Sequence, residues 1–220
     1  MTRADKTPAE LLAEGIAELG LEIDNTRQQA MLRYLELLER WNRAYNLTAV
    51  RELPEMVVRH LLDSLSISPY LTGQRILDVG TGAGLPGIPL ALVHEEKTFV
   101  LLDSNGKKCR FVRQAVLELG LKNVEVVQSR VEHYRPDEPF DTIVTRAFAP
   151  LSDILARIGH LCHHGTRLLA MKSGEPEDEI AAAAVAPERL RRHRLHIPFS
   201  GVERSLLEIT LEPHAGEPHG

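Results

Sequence analysis

The N-terminal third of the chain carries apolar side chains at helical spacing. Within residues 26–45 they recur every three or four positions, which is the pattern of an amphipathic helix. These residues are Met31, Leu35, Leu38, Trp41 and Tyr45. Upstream, Thr7 and Glu10 have the spacing of a capping box, so we predict a helix from there to about residue 19. A third helix is predicted to begin at Leu53.

Beyond Gly73 the pattern changes to short apolar runs that alternate with helical segments. The runs have the length of buried strands. They lie at residues 74–79, 98–102, 124–127, 141–144 and 166–171. Helical patterns follow them at residues 87–93, 106–119, 151–158 and 176–184. This alternation predicts an α/β fold in which helices cover both faces of a parallel sheet.

The end of the chain departs from this alternation. Two segments, 194–198 and 206–211, flank a turn-like stretch and predict an antiparallel hairpin. Residues 213–220 are rich in Pro, Gly and His, which predicts a flexible tail. We therefore expect a helical N-terminal cap over 1–72, an α/β domain over 73–212, and the tail.

The composition is typical of a globular protein and limits the classes of function. Hydrophobic residues make up 43% and charged residues 26%, which excludes a disordered, collagen-like or membrane-embedded chain. We expect a cytoplasmic protein, because the two cysteines suggest no disulfide framework and no apolar secretion signal or membrane span is visible. The formal net charge of −5 argues against a general nucleic-acid coat protein but permits a local basic surface.

A glycine-rich loop directly after the first predicted strand is the richest chemical signal. Gly82, Gly84 and Gly87 match the dinucleotide fingerprint, in which a pyrophosphate lies at a helix N-terminus. Asp78 followed by Gly80, Gly82 and Gly84 is instead the pattern of S-adenosylmethionine (SAM) methyltransferases. An acid at this place would repel a pyrophosphate but suits a cofactor with an ammonium and a sulfonium group. The loop therefore favours SAM over NAD.

Asp103 follows the second predicted strand, about twenty residues beyond the loop, where a carboxylate can accept both hydroxyl groups of a ribose. NAD enzymes share this feature, so Asp103 predicts a ribose without deciding between the cofactors. A helix-capping role for Asp103 or Ser104 is the alternative.

Several further stretches carry a family resemblance. They are WNRAYNLT at 41–48, RHLLDS at 59–64, the glycine loop at 78–89, LDS at 102–104 with Lys107 and Lys108, QSRVE at 128–132, TRAFA at 145–149 and MKSG at 171–174. With these stretches the chain resembles the bacterial small-subunit ribosomal RNA guanine-N7 methyltransferases, the RsmG (GidB) family. The match departs from some relatives at Ala83, where they carry Pro.

The resemblance implies a Rossmann-like, class I SAM-dependent methyltransferase with a helical N-terminal cap. It implies SAM as the methyl donor and a guanine in the decoding region of 16S rRNA as the acceptor, within the small ribosomal subunit or an assembly intermediate. By position it assigns five residues to the cofactor pocket, namely Gly80, Leu85, Val131, Glu132 and Arg146. The residue patterns add Asp78, Gly82, Gly84 and Asp103 to these cofactor-binding candidates.

Guanine N7 is a lone-pair nucleophile that loses no proton, so in-line methyl transfer to it needs no general base. The protein must instead hold the base in line with the methyl group. Arg146 and Lys172, at the carboxyl ends of predicted strands, are the candidates for orienting the nucleotide through O6 and phosphate. Asn46 is a third catalytic candidate. The alternatives are a solvated Lys172 and a helix C-cap at Asn46.

Two basic clusters are candidates for contact with RNA phosphates. They are Arg40, Arg43, Arg51 and Arg59 near the cap, and Lys107, Lys108, Arg110 and Arg113 on one predicted helix. Solvated helix faces balanced by Glu36, Glu39 and Glu118 are an equally open interpretation.

Two other functional classes remain open, an NAD-linked oxidoreductase and a non-catalytic ribosome-associated RNA-binding protein. We expect no metal site, because the close residues His160, Cys162, His163 and His164 lack the wider spacing of zinc ligands. We also expect a monomer. An acidic body with local basic patches predicts weak binding to bulk RNA and a preference for a shaped, protein-containing substrate.

Overall fold

The N-terminal part of the protein is helical. The computed structural model describes residues 6–174 and 176–212. Helix α1 (Pro8–Glu18) begins with the predicted capping box, and α2 (Asn25–Tyr45) fills the periodic segment. Both predictions are confirmed.

The third predicted helix is present but irregular. It begins as α3 (Leu53–Met56), continues as a π-helix (Val57–Leu62) and ends as α4 (Asp63–Leu65). π-helical turns are rare and often occur at functional sites. This one carries Arg59 and His60, which lie at the candidate site described below.

Seven strands form one sheet in the described part of the chain. They are β1 (Arg75–Val79), β2 (Thr98–Asp103), β3 (Val124–Gln128), β4 (Phe140–Arg146), β5 (Cys162–Ser173), β6 (Leu190–Leu195) and β7 (Arg204–Thr210). The order in the sheet is β3-β2-β1-β4-β5-β7-β6. Strands β1 to β5 are parallel, whereas β7 runs antiparallel to β5 and to β6. The predicted α/β fold is confirmed.

Helices cover the sheet on both faces. The helices of the α/β part are α5 (Gly87–Val93), α6 (Gly106–Leu119), α7 (Leu151–Ile158) and α8 (Glu177–Ala183). One apolar cluster joins the N-terminal helices to α5, α6 and one face of the sheet, and a second lies beneath α7 on the other face. Successive side chains of a strand point to opposite faces of the sheet. In β1, Ile76 therefore belongs to the first apolar cluster and Leu77 to the second.

The hairpin is confirmed, but its first strand was predicted in the wrong place. Strand β6 occupies Leu190–Leu195 rather than 194–198. Leu195 is the last residue of β6 and Ile197 lies in the loop after it. Both are buried in the apolar core of the N-terminal helices, so the apolar alternation here marks packing on that core rather than the start of a strand. The true strand has a polar sequence because it lies at the edge of the sheet.

One apolar core extends across the predicted boundary at residues 72 and 73, so the N-terminal helices and the α/β part pack as one body. The division of the chain into a cap and an α/β domain stays a prediction. The predicted tail at 213–220 lies outside the described residues. Within the described ranges, no helix combines the length and the apolar character that a membrane crossing requires.

Candidate functional site

The carboxyl ends of β1 and β4 meet where the strand order of the sheet reverses. The chain continues from β1 to β2 on one side and from β4 to β5 on the other. In open α/β sheets this switch point opens a crevice for ligands. A first cavity of 410 Å³ and a second cavity of 650 Å³ lie here, and Ala147 and Phe148 line both.

The glycine loop after β1 has a backbone conformation that suits glycine. Gly80, Gly82 and Gly84 have φ angles of 70°, 60° and 87°, in the left-handed region that side chains disfavour. At Gly80 an added Cβ atom would lie 2.3 Å from Cδ2 of Phe148. The N–H group of Gly80 donates to the carbonyl oxygen of Leu102 at 2.8 Å, which joins the loop to the end of β2.

Asp78, the acid before the loop, is fully buried and supports the loop. Its Oδ2 accepts hydrogen bonds from Thr81 Oγ1 at 2.7 Å and from the N–H group of Gly87 at 2.9 Å. Its Oδ1 has no hydrogen-bond partner among the described residues. Burial raises the pKa of Asp78 to about 6, although the hydrogen bonds from Thr81 and Gly87 oppose this shift.

Asp103, at the end of β2, lines the first cavity and also orders the backbone around it. Its Oδ2 accepts from the N–H group of Gly82 at 2.9 Å, and its Oδ1 from the N–H group of Asn105 at 2.8 Å. The helix cap considered for Asp103 or Ser104 is wrong by one or two residues, because the side chain of Asn105 caps α6.

The predicted cofactor-binding residues occupy three places. Those that line the first cavity are Gly80, Asp103, Val131 and Glu132. Those that form or precede the loop without lining the cavity are Asp78, Gly82, Gly84 and Leu85. Leu85 is buried in the core that includes the N-terminal helices, and Arg146 lines the second cavity instead.

Arg146 and Lys172 both line the second cavity, as expected from their places at the ends of β4 and β5. Nη1 of Arg146 donates to Oδ2 of Asp63 at 2.9 Å and to the carbonyl oxygen of Arg59 at 3.1 Å. Asp63 Oδ1 accepts from Nε of Arg204 at 2.9 Å. One carboxylate therefore binds two guanidinium groups at this cavity.

Lys172 is not a solvated strand-end cation, so that alternative is wrong. Its side chain is 12% exposed, and its ammonium group donates to Oε2 of Glu179 at 2.5 Å and to the carbonyl oxygen of Ala149 at 3.1 Å. Partial burial alone would raise the pKa of Glu179, but the hydrogen bonds from Lys172 and from the N–H group of Leu151 outweigh it and lower that pKa.

His60, on the π-helix, also lines the second cavity. Its Nε2 lies 2.9 Å from Oγ1 of Thr48, and its Nδ1 has no partner among the described residues. Burial lowers the pKa of His60 to about 4, and the positive charge of Arg146 contributes to this shift. His60 is therefore neutral at physiological pH.

Asn46 lines neither of the two cavities. It is the C-cap of α2, in the left-handed conformation, so the capping alternative is confirmed. Its Oδ1 accepts a hydrogen bond from Arg51 at 3.1 Å.

Asp63 and Arg204 are not singled out by the sequence patterns. Asp63 lies in the RHLLDS stretch that carries the family resemblance, and this resemblance is the only sequence feature that could have pointed to Asp63 as a site residue. Arg204 begins β7, 141 positions from Asp63 along the chain. Only the folded hairpin brings it to the cavity.

Comparison with known proteins identifies relatives over most of the chain. The model of the GidB family, described as rRNA small subunit methyltransferase G, matches residues 27–207. A ribosomal RNA small subunit methyltransferase G from Nitrosococcus oceani is 50% identical over 205 residues, which are 93% of this chain and 96% of that protein. One from Pseudomonas aeruginosa is 52% identical over 211 residues, with 94% and 97% coverage.

Solved structures share the fold at low sequence identity. A SAM-dependent O-methyltransferase from Thermotoga maritima has a TM-score of 0.54 and 14% identity, covering 71% of this chain and 66% of its own. TYW2 of M. jannaschii in complex with AdoMet has a TM-score of 0.54 and 11% identity, covering 70% and 77%. These matches support neither an NAD-linked oxidoreductase nor a non-catalytic RNA-binding protein. The family match over residues 27–207, together with relatives that are half identical along nearly their whole length, shows that this chain belongs to the rRNA small subunit methyltransferase G family.

Proposed function

We propose that this protein transfers a methyl group from SAM to N7 of a guanine in the decoding region of 16S rRNA. The observation that carries the proposal is the pair of adjoining cavities at the switch point of the sheet. Asp103 and Glu132 line the first beside three basic residues, and Arg146 and Lys172 line the second beside Asp63 and Glu179. Because both cavities share Phe148 and Ala147, a donor in one and an acceptor in the other would be neighbours.

The residues around the first cavity fit SAM. Asp103 lies where a carboxylate can accept the ribose hydroxyl groups, and Gly80 allows close approach to the backbone. The unsatisfied Oδ1 of Asp78 adds a negative group beneath the loop, which suits a cofactor with positive charge. When bound, SAM supplies an electrophilic methyl group. Residues of this chain hold and orient it.

The second cavity fits a nucleotide whose N7 must stay free. Arg146 and Lys172 supply donors for O6 and phosphate, which are acceptors on guanine nucleotides. His60 is neutral, and N7 has no proton to lose, so no side chain has to act as a general base. The contribution of these residues to the rate is then positioning. Asn46, which caps α2, would act only through the order of the segment after that helix.

The names of the relatives support rRNA of the small subunit as the substrate class. A net charge of −5 is unfavourable for binding to RNA in general. We therefore infer that the protein, acting as a monomer in the cytoplasm, recognises a ribosomal particle or an assembly intermediate through its shape as well as its charge.

Labelled SAM and small subunits that lack the modification test this function. We expect label in 16S rRNA, with the N7-methylated guanine located by chemical cleavage at that base followed by primer extension. The same reaction on protein-free 16S rRNA should be slower. Absence of label from both substrates, or label at another atom, would contradict the proposal. Calorimetric titration with SAM and with NAD tests the cofactor separately, and we expect heat of binding only with SAM.

A further inference from the structure

The bridge from Asp63 to Arg146 and Arg204 costs free energy to bury. The side chain of Asp63 is 2% exposed, and the two arginine side chains are 20% and 23% exposed. Removing charges from water is expensive, and buried ion pairs often add little net stability compared with apolar packing. Stability alone is therefore a weak reason for this arrangement at a ligand cavity.

We propose that Asp63 is a positioning residue that fixes which edges of Arg146 and Arg204 face the guanine nucleotide. This inference rests on the function proposed above and identifies a residue that acts through two others. Asp63 itself touches neither the cofactor nor the reacting atoms. Its role is to orient the donors that do.

The hydrogen bonds determine those edges. Both hydrogens of Arg146 Nη1 are used, by Asp63 and by the carbonyl oxygen of Arg59, so only its Nε–Nη2 edge is left for substrate. Arg204 donates from Nε to Asp63 and from Nη1 to Ser173, which leaves both hydrogens of Nη2 and one of Nη1 without a hydrogen-bond partner among the described residues and able to face the substrate. Without the carboxylate, two like charges at one cavity would repel each other and both side chains would rotate.

Glu208 offers a matched control on strand β7. Its side chain is 8% exposed and accepts from Arg167 at 2.9 Å and from His193 at 2.7 Å. It is therefore also a buried carboxylate between two basic groups, but it lines neither of the two cavities. A merely structural contribution should be similar at the two sites.

The test compares Asp63→Asn with Glu208→Gln. We expect both to lower the Tm by similar amounts. Only Asp63→Asn should lower kcat on small subunits, by about 10- to 100-fold, with the KM for subunits and the Kd for SAM within about twofold of wild type because positioning affects the reacting geometry most. Asp63→Glu, which keeps the charge, should recover part of kcat.

An unchanged kcat in Asp63→Asn, or an equal loss in both variants, would overturn the inference. Should Asp63→Asn fail to fold, Arg204→Lys keeps a cation but replaces the planar group that donates to both Asp63 and Ser173 by a single ammonium group, so its orientation is no longer fixed. A wild-type kcat in that variant would also overturn the inference. Failure of the wild-type protein to methylate small subunits would instead contradict the proposed function.

Discussion

The hydroxyl group of Tyr34 donates a 2.7 Å hydrogen bond to the backbone carbonyl oxygen of Ala83. Tyr34 lies in the middle of α2 and is completely buried, and Ala83 belongs to the glycine loop. The ring of Tyr34 also packs against Phe111 of α6, with a centroid distance of 6.2 Å. The N-terminal helices therefore hold the loop in place in addition to covering one face of the sheet.

Tyr34→Phe removes this hydrogen bond and keeps the ring. The carbonyl group of Ala83 then lacks its partner in a buried position, which costs about 1–3 kcal/mol of the free energy of unfolding. Because the loop borders the first cavity, SAM should also bind more weakly. Denaturant unfolding and calorimetric titration with SAM measure the two effects. Unchanged SAM affinity would mean that this hydrogen bond has no effect on the cofactor site.

The raised pKa of Asp78 should make the free energy of unfolding decrease as the pH rises. Its pKa is about 6 in the folded protein and 3.8 ordinarily, so between these values the folded state holds a proton that the unfolded state has released. The free energy of unfolding contributed by Asp78 therefore falls as pH rises from about 4 to 6, by about 3 kcal/mol in total.

His60 titrates in the opposite direction over part of this range. Its folded pKa of about 4 lies below the ordinary 6.5, so its contribution to stability is lost as pH falls through that window. Comparing wild type with Asp78→Asn isolates Asp78. From pH 4 to 6, the variant should lose less stability, or gain more, than wild type in denaturant unfolding. Parallel profiles for the two proteins would show that Asp78 keeps an ordinary pKa.

The same titration should appear in cofactor binding. A positively charged ligand favours the carboxylate form of Asp78, so SAM affinity should increase as pH rises through about 6. In Asp78→Asn the affinity should be lower and should lose most of this pH dependence. Calorimetric titration at a series of pH values measures it. A wild-type pH profile in the variant would remove Asp78 from the cofactor site.

The elements of the α/β part were predictable because their pattern is local. A buried strand followed by glycines, such as 74–79, carries its signal within a few residues. Strand β6 was misplaced because the burial of Leu195 and Ile197 depends on the distant N-terminal helices. Periodicity shows that a residue is buried without showing what covers it.

The candidate site, like the fold, was predictable where its residues follow from local sequence patterns and not where they depend on distant contacts. Arg146 and Lys172 follow from the rule that ligands lie at the carboxyl ends of parallel strands, and both line the second cavity. The bridge through Asp63 joins α4, β4 and β7. No spacing along the chain encodes such a contact, since it depends on the tertiary fold. Asn46 illustrates the converse, because Asn is equally typical of a helix C-cap and occupies one here.

Loss of either predicted nucleotide-orienting cation should slow methyl transfer. We expect Arg146→Ala and Lys172→Ala each to reduce kcat/KM on small subunits by about tenfold or more, because a charged donor to the nucleotide is worth about 1.5–3 kcal/mol. Arg167→Ala is the control on β5, since its ion pair with Glu208 lies away from both cavities. Wild-type rates in both cavity variants would refute the assignment.

The two basic clusters differ in their partners. On α2, Arg40 pairs with Glu118 at 3.6 Å and Arg43 with Glu39 at 3.7 Å, which agrees with the balanced-surface interpretation. On α6, Lys107 and Arg110 are exposed and have no carboxylate partner among the described residues. The unpaired cations of α6 are therefore the better candidates for RNA phosphates.

A Lys107→Ala/Arg110→Ala double variant tests this difference, and it spares Lys108, which lines the first cavity. We expect weaker binding to small subunits and a salt dependence, log Kd against log salt, that is shallower by about one unit for each lost phosphate contact. SAM affinity should stay unchanged. Arg40→Ala/Arg43→Ala is the control and should change the slope less, because each of those cations has a nearby carboxylate, in Glu118 and Glu39, that competes with a phosphate. A wild-type slope in the α6 variant would mean that the charge of α6 serves only solvation, and an equally shallow slope in the control would mean that the α2 cations contact phosphates as well.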